Sequence, residues 1–251
     1  MASLIDLSAP IRPDPPEYPE PLRTEIEFEE HAQGAQTIET IFGVDRELLR
    51  DGEGWATESF LRFGTHNSTH VDAPWHYNSK INGKPAQTID QLPLEWFYAP
   101  GIVIDATDRE DGESLTAAEL QERLPRELND LDIVLVRTGR DQFYEEPDYI
   151  ARGPGVTAEA TRWLYEQGVR VMGIDAWGWD EPLHLQAERA KAERKPGIFW
   201  AAHQVDLAYS QIERLFNLGA LPEQGFQVAC FPLRIEGASA APARVVGIVP
   251  D

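Results

Sequence analysis

The chain of 251 residues is long enough for one large domain or for two smaller ones that share a core, and 42% of it is hydrophobic. Acidic residues outnumber basic ones by 43 to 22, and the net charge of −21 at pH 7 repels phosphate backbones and anionic lipids. We therefore expect neither nucleic acid nor a membrane as a partner, and the acidity either serves solubility alone or concentrates divalent cations.

The sequence also indicates where the protein works. No stretch approaches the roughly 18 to 20 consecutive apolar residues that a membrane span needs, and no signal peptide is visible at the N-terminus. Cys230 is the only cysteine, so an intramolecular disulfide is excluded. Its neighbours are apolar, which indicates a core position and not a nucleophile. We expect a soluble, cytoplasmic protein.

Residues 1–25 are predicted to form a proline-rich N-terminal arm. Six prolines lie between positions 9 and 22, and prolines favour an extended chain over a helix or a central strand. Such an arm either lies across a neighbouring element or a partner subunit, or it is disordered.

Beyond the arm, runs of β-branched residues alternate with helical patterns, as is typical of α/β proteins. Strands are predicted at residues 101–106, 132–139, 169–176, 226–235 and 243–249. Helices are predicted at residues 115–124, 156–168, 181–199 and 201–218. We therefore expect one α/β domain over residues 1–251, β-rich, with mixed sheets and flanking helices.

Local signals support each of these helices. Thr116 and Glu119 have the spacing of a capping box, and Thr157 is a predicted N-cap. Segment 181–199 has mixed charges, which suggest an exposed helix with His184 at the surface. Segment 201–218 has apolar residues at helix-like spacing.

Three of the six histidines fall within eleven consecutive residues, 66–76, together with Asp72. A continuous helix is excluded for two reasons. Pro74 would break it, and at 100° of rotation per residue Asp72 and His76 would not lie on the same helix face as His66. A fully extended chain would span about 33 Å, too far for one metal site. The segment must therefore be extended and bend back on itself, at residues 67–69 or at 72–74.

Imidazoles and a carboxylate suit Zn²⁺, Mn²⁺ or Fe²⁺. No thiolate is present, so a closed structural zinc site is not expected. Three or four nitrogen and oxygen ligands with room for water describe a catalytic metal. The alternative is a set of histidines that make unrelated hydrogen bonds, but so many ligands in so short a segment favour the metal site.

The segment HNSTHVDAPWH (66–76) resembles the signature of the metal-dependent cyclase/hydrolase family that includes bacterial kynurenine formamidase and isatin hydrolase, approximately H-x-G-T-H-x-D-x-P-x-H. The chain departs from that pattern where Ser68 replaces the glycine. Other segments resemble the family in the same order: GKPAQTIDQLPLEWFYAPGIVIDA, LVRTG, GIDAW and IEGASAAPARVVGIV. The resemblance covers residues 4–249 and implies the family's fold, a swivelling β/β/α arrangement.

The resemblance also implies the metal ligands. His66, His70 and Asp72 would hold one divalent ion, Zn or Mn. His203 and Glu213 would complete this site or bind a second ion, with Asp72 as a bridge. The two lie ten residues apart in segment 201–218, so a turn before the predicted helix must bring His203 round.

A metal-dependent hydrolase of C–N bonds is the function that this resemblance implies. Metal-activated water would attack an amide, formamide or lactam. His76 would pass a proton to the leaving atom, or would orient a ligand. The small substrate is expected to be aromatic, with Trp75 and Trp177 beside it, and Trp179 is a further candidate unless it is part of the core.

Two other functions remain open on the sequence. The same site could serve a cyclase of natural-product biosynthesis, or it could belong to a metal- or ligand-binding module without catalysis. Segment 181–199 has no obvious counterpart in kynurenine formamidases, which argues for a different substrate. The resemblance further implies a homo-oligomer, a dimer or a tetramer.

Overall fold

A computed structural model describes residues 2–18 and 20–250 of the chain, without the side chain of Pro21. Met1, Pro19 and Asp251 lie outside the described residues, and with them these positions of the predicted arm and domain. The chain forms two compact units, one of Met1–Pro10 with Ser68–Asp251 and one of Ile11–Asn67. The expectation of one domain with an arm at residues 1–25 stays a prediction.

The described residues form fifteen strands and five α-helices. The strands are β1 (Ser3–Asp6), β2 (Glu25–Glu29), β3 (Thr57–Arg62), β4 (His70–Asp72), β5 (Lys80–Ile81), β6 (Lys84–Pro85), β7 (Tyr98–Asp105), β8 (Ser114–Leu115), β9 (Ile133–Arg137), β10 (Gly155–Val156), β11 (Val171–Ile174), β12 (Ser210–Glu213), β13 (Phe226–Ala229), β14 (Ala240–Pro242) and β15 (Val246–Val249). The helices are α1 (His31–Phe42), α2 (Pro74–Tyr77), α3 (Ala117–Arg123), α4 (Ala158–Glu166) and α5 (Leu183–Glu193). Among the described residues, none of these helices has both the length and the apolar composition that crossing a membrane requires.

The larger unit is built on one mixed sheet with the strand order β1-β15-β13-β7-β9-β11-β12-β4-β14. The central strands β7, β9, β11 and β12 run parallel to one another, and the pairs on either side are antiparallel. Parallel strands that are covered on both faces are largely apolar, which is why β7, β9 and β11 read as apolar runs in the sequence, whereas β12 carries polar residues. The predicted α/β class with mixed sheets is confirmed.

Alternate residues of the central strands pack on opposite faces of the sheet. On one face Val103 and Leu135 join a core with Phe97 and Leu215. On the other face, Ile104, Val136 and Met172 pack with Leu120 of α3 and Leu164 of α4. Each leucine of these two helices is fully buried and contributes roughly 1.5–3 kcal/mol.

The helices begin where their capping residues predict. Thr116 and Glu119 form a reciprocal capping box at the start of α3. The Thr157 hydroxyl accepts a hydrogen bond from the Ala160 N–H, 3.1 Å away, at the start of α4. The expectation of an exposed helix in segment 181–199 is also confirmed, since α5 has Gln186 as its only buried residue and His184 is exposed.

Part of the predicted arm belongs to the main sheet. β1 pairs antiparallel with β15 at the sheet edge, and Ser8 forms a bridge with Leu215. Contact of the arm with a partner subunit stays a prediction.

The smaller unit consists of α1 and a two-stranded antiparallel ribbon, β2 with β3. Gly34 of α1 lies so close to the backbone of Trp55 that a Cβ atom at this position would be 1.8 Å from the Trp55 carbonyl oxygen. Glycine is therefore required there. All six residues of β3 are exposed.

The predicted helix at residues 201–218 is wrong. Residues 201–207 form turns and bends, and Ser210–Glu213 is β12, a strand inside the sheet. Its polar residues Ser210, Gln211 and Glu213 are buried together with Ile212, so the period-2 alternation of a half-exposed strand is hidden. The predicted strands at 226–235 and 243–249 are present but shorter, as β13 and β15.

We predict that Gly155→Ala destabilises the larger unit. A Cβ at this position in β10 would lie 2.0 Å from the backbone nitrogen of Glu181, so a loop has to move. The free energy of unfolding, measured in urea, should fall by roughly 1–3 kcal/mol. Gly178→Ala is the matched control, because its Cβ meets nothing closer than Glu213 Oε1 at 3.4 Å. Equal unfolding midpoints for the two variants would contradict this packing.

Candidate metal centre

The pairing of β4 with β12 brings two predicted ligands together. In this antiparallel pair His70 lies directly opposite Glu213. The neighbouring pair, Val71 and Ile212, packs into the hydrophobic core. His70, Asp72 and Glu213 therefore share the other face of the sheet. The His70 Nε2 atom is 3.2 Å from Asp72 Oδ1 and 3.6 Å from Glu213 Oε2.

The turn before β4 fixes the orientation of the His70 ring. Its Nδ1–H donates to the Ser68 carbonyl oxygen, 3.0 Å away, so Nε2 carries the lone pair that a metal ligand needs. Ser68 has a left-handed φ of 58°. That conformation favours glycine, which explains the residue expected here. The Ser68 hydroxyl donates to the Ala9 carbonyl at 3.1 Å, a hydrogen bond that glycine cannot make.

His76 reaches the same region from α2, one helical turn after β4. Pro74 is at the start of this turn, where its missing N–H is tolerated. The His76 Nε2 atom is 4.0 Å from Asp72 Oδ2, and 23% of its side chain is exposed. The chain thus bends at residues 67–69, is extended at residues 70–72 and bends again at residue 74, so both bends that the sequence allowed are present.

His203 joins the cluster from the turns before β12. Its Nε2 is 3.3 Å from Glu213 Oε1, and its Nδ1–H donates to Asp180 Oδ2 at 2.5 Å. The Asp180 carboxylate also accepts hydrogen bonds from the backbone N–H groups of Ala202 and His203, at 2.9 and 3.1 Å. Asp180 therefore fixes both the backbone and the ring of His203.

The electrostatics of this cluster favour a cation. Burial by itself would lower the pKa of the His203 imidazole, but hydrogen bonds to Asp180 and Glu213 outweigh burial and raise that pKa to about 10. Burial would raise the pKa of Glu213, but the His203 hydrogen bond and nearby positive charge hold it below its ordinary value. The hydrogen bond between His203 and Glu213 contributes to both shifts, because it raises the pKa of the imidazole and lowers the pKa of the carboxyl group.

The donor set fits a divalent metal. One ligand atom each from His70, Asp72 and Glu213 lies within 4.8 Å of the others, and all three residues are buried. His203 is next to Glu213, so the residues offer imidazole nitrogen and carboxylate oxygen without a thiolate. This is the donor chemistry that Zn²⁺, Mn²⁺ and Fe²⁺ accept.

The roles of three predicted site residues, His66, Trp75 and Trp177, remain untested. His66 is half-buried in a turn of the smaller unit, and its function as a ligand stays a prediction. Trp75 lies on α2 with 44% of its surface exposed. Trp177 is half-buried, and the Arg214 guanidinium lies 4.7 Å from its ring centroid. Contact of either tryptophan with a substrate also stays a prediction.

Asp175 and Trp179 lie in the loop after β11, and both are buried. Trp179 is fully buried, and its backbone N–H donates to Glu213 Oε1 at 2.9 Å, so it belongs to the core. Asp175 accepts hydrogen bonds from the N–H groups of Thr138 and Gly139, at 2.6 and 2.8 Å. It joins the ends of two strands.

Two aromatic residues of the site, Trp200 and Tyr77, carry no signal in the sequence. The Trp200 ring stacks on His203 with centroids 4.5 Å apart, and it meets His76 edge-on at 4.9 Å. Tyr77 meets His203 edge-on at 5.4 Å. Neither residue belongs to the histidine-rich segment 66–76 or to another recognisable motif, so only the fold reveals these contacts.

We predict that Asp180→Asn weakens binding of Zn²⁺ or Mn²⁺ by roughly 10- to 100-fold, because the His203 ring loses its charged partner. Isothermal titration of the purified protein with each metal measures this. Asp206→Asn is the matched control, since Asp206 is exposed and bonds the Asn82 backbone N–H. If both variants bind metal as the unchanged protein does, Asp180 does not support the centre.

Comparisons with known proteins find relatives and similar structures over most of the chain. The 25% identity to kynurenine formamidase of Maricaulis maris extends over 250 residues, 98% of each chain. Isatin hydrolase of Roseibium aggregatum is 27% identical over 209 residues, 76% of this chain and 74% of that protein. The structure of isatin hydrolase A from Ralstonia solanacearum superimposes with a TM-score of 0.72 at 25% identity, covering 99% of this chain and 92% of the other.

The fold is therefore that of these hydrolases, as the resemblance implied. A sequence profile described as "Putative cyclase" matches residues 5–181, which is more than half of the chain and includes the whole histidine-rich segment. The chain belongs to the cyclase family.

Proposed function

We propose that the protein is a metal-dependent hydrolase that cleaves the C–N bond of an amide, a formamide or a lactam in a small aromatic substrate. Relatives named kynurenine formamidase and isatin hydrolase, which extend over most of the chain, support this reaction class. The observation that carries the proposal is the convergence of His70, Asp72, His203 and Glu213, all buried, from three separate segments.

The proposed ligands are His66, His70, Asp72, His203 and Glu213, for one or two ions of Zn²⁺ or Mn²⁺. Such an ion supplies Lewis-acid polarisation of a carbonyl group and lowers the pKa of water to near neutrality. Asp72 has both carboxylate oxygens directed at imidazoles of this cluster, at 3.2 and 4.0 Å, so it is the candidate for a bridging ligand.

His76 is the proposed proton-transfer residue. His76 is partly accessible to solvent, with 23% of its side chain exposed, whereas His70 and His203 are buried. Its ring borders Asp72 and Trp200, so it can hold a proton beside the leaving nitrogen and exchange it with water. Asp180 keeps the His203 ring in place during this reaction, and Trp75 and Trp177 are proposed to border the substrate.

The experiment is a turnover assay of purified protein with formamides, lactams and lactones, combined with elemental analysis. We expect zinc or manganese in the protein, release of a carboxylic acid from an aryl formamide or a lactam, and loss of turnover on chelation. Turnover should return when the metal is added back. A fully metal-loaded protein that opens none of these substrates contradicts the proposal.

In the same assay His76→Ala should lower kcat by roughly 10²- to 10⁴-fold while the metal content stays unchanged. His184→Ala is the control, because His184 is exposed on α5. Loss of the metal in His76→Ala would assign His76 to metal binding and not to proton transfer. Turnover of any carbonyl substrate excludes a module that only binds metal.

A cyclase reaction of natural-product biosynthesis is the second candidate, favoured by the description of the matching family profile. It would use the same ligands. Product analysis separates the two, because a hydrolase consumes water and opens or cleaves its substrate, whereas a cyclase closes a ring.

We further propose a homo-oligomer, a dimer or a tetramer. Large apolar side chains are exposed in the smaller unit: Phe28, Ile41, Phe42, Leu48, Phe60 and Leu61. Apolar surface of this extent is typical of an interaction site. Light scattering that gives the mass of a monomer would remove this proposal. The cytoplasmic location and the absence of nucleic-acid and membrane partners stay predictions.

A further inference from the structure

Trp200 lies against two imidazoles of the candidate centre. Its ring is nearly parallel to that of His203, with an interplanar angle of 22° and centroids 4.5 Å apart. It is almost perpendicular to the ring of His76, at 89° and 4.9 Å. Trp200 is half-buried, so it both covers His203 and contacts the surroundings of the site.

The position of Trp200 is set by a buried glutamine. The backbone N–H of Trp200 donates to Gln186 Oε1 at 2.5 Å, and Gln186 Nε2 donates to the Glu181 carbonyl oxygen at 2.5 Å. Only 1% of Gln186 is exposed. Trp200 also has a left-handed φ of 64°, which a tryptophan adopts only when its surroundings fix it.

Helix α5 buries one side chain completely. Gln186 is its one buried residue, and the rest of the helix is exposed or half-buried. The ion pair between Arg189 and Glu181 ties the helix to the same loop that Gln186 contacts. The one fully buried side chain of α5 is therefore polar, and its hydrogen bonds are directed at the backbone of Trp200 and Glu181.

A substrate of the proposed hydrolase has to place its carbonyl group beside the ligands. The group bonded to the scissile bond then lies next to whatever side chain borders them. Trp200 borders both His203, a ligand, and His76, the proton-transfer residue. An indole and an aryl ring attract each other by stacking or edge contact, which a puckered aliphatic ring cannot reproduce.

We propose that Trp200 selects substrates with a flat aromatic ring directly attached to the scissile C–N bond, and that Gln186 is the positioning residue for Trp200. This inference rests on the proposed function and names the residues that set the substrate preference of that site. It assigns a role to α5, which the hydrolytic reaction itself does not require. The rival role for Trp200 is to shield His203, which would affect all substrates alike.

The first test compares formanilide with N-cyclohexylformamide, which have similar size and differ in whether the ring is flat. The unchanged protein should hydrolyse formanilide with a kcat/KM about threefold to tenfold higher, beyond any difference in their reactivity with hydroxide. Trp200→Ala should abolish this preference through KM. Trp200→Phe should keep most of it. A preference that survives in Trp200→Ala, or a change equal for both substrates, overturns the inference.

The second test needs no turnover. Calorimetry on metal-loaded protein compares benzamide with cyclohexanecarboxamide as binding probes. Benzamide should bind about threefold to tenfold more tightly, and Trp200→Ala should remove the difference with an unchanged metal content. If the protein binds benzamide selectively and in a Trp200-dependent way but hydrolyses nothing, the proposed function fails while the selectivity of Trp200 for a flat aromatic ring stands. If it hydrolyses both formamides without preference, the inference fails and the function stands.

Gln186 is tested in the same two assays. Gln186→Met keeps the length of the side chain but removes both hydrogen bonds, so it should raise KM for formanilide severalfold and leave kcat nearly unchanged. Gln186→Glu restores the acceptor for the Trp200 N–H and should recover part of this loss. His184→Ala, on the exposed side of α5, is the control. A fall in kcat alone in Gln186→Met, or its identity with the unchanged protein, overturns the positioning role.

Discussion

The antiparallel pairing of β4 with β12 is the constraint on which the rest of the site depends. It sets His70 opposite Glu213 and, one residue away, Val71 opposite Ile212. Because successive side chains of a strand alternate between faces, one face of this pair is core and the other is the candidate metal centre. A shift of either strand by one residue would turn its candidate ligands into the hydrophobic core. The apolar pair therefore fixes the register that the polar pair uses.

The second constraint is electrostatic. Asp72, Asp180 and Glu213 are carboxylates in a region with little water, where unpaired charge is costly. Imidazoles lie beside these carboxylates, and the hydrogen bonds to Asp180 and Glu213 raise the pKa of His203 to about 10. A divalent ion would supply positive charge at the same place. Asp180 acts on the candidate centre indirectly, through the His203 ring that it orients. The aromatic side chains around His203 limit access of water to this region.

Much of the fold could be predicted because its signals are local. The capping box at Thr116 and the N-cap at Thr157 start α3 and α4, and apolar runs mark β7, β9 and β11. The helix predicted at 201–218 failed because β12 is buried with its polar residues. Its sequence has no period-2 contrast, and the reason for burying Glu213 lies in β4, far away in the chain. The contacts of Asp180 and Trp200 with the His203 ring could not be predicted either, because they form only in the folded chain.

The sequence by itself determined the family and supplied the candidate ligand types: imidazoles and a carboxylate in the segment 66–76, where Pro74 excludes one continuous helix. It also indicated the distant pair His203 and Glu213 through resemblance. Only the tertiary structure decided how these residues meet, through a strand and not a helix, and which side chains hold them there. The physical reason is that each side chain's donor atoms are given by its residue type, which the sequence states directly. The distances between these side chains follow from the register of β4 with β12, which depends on two segments far apart in the chain.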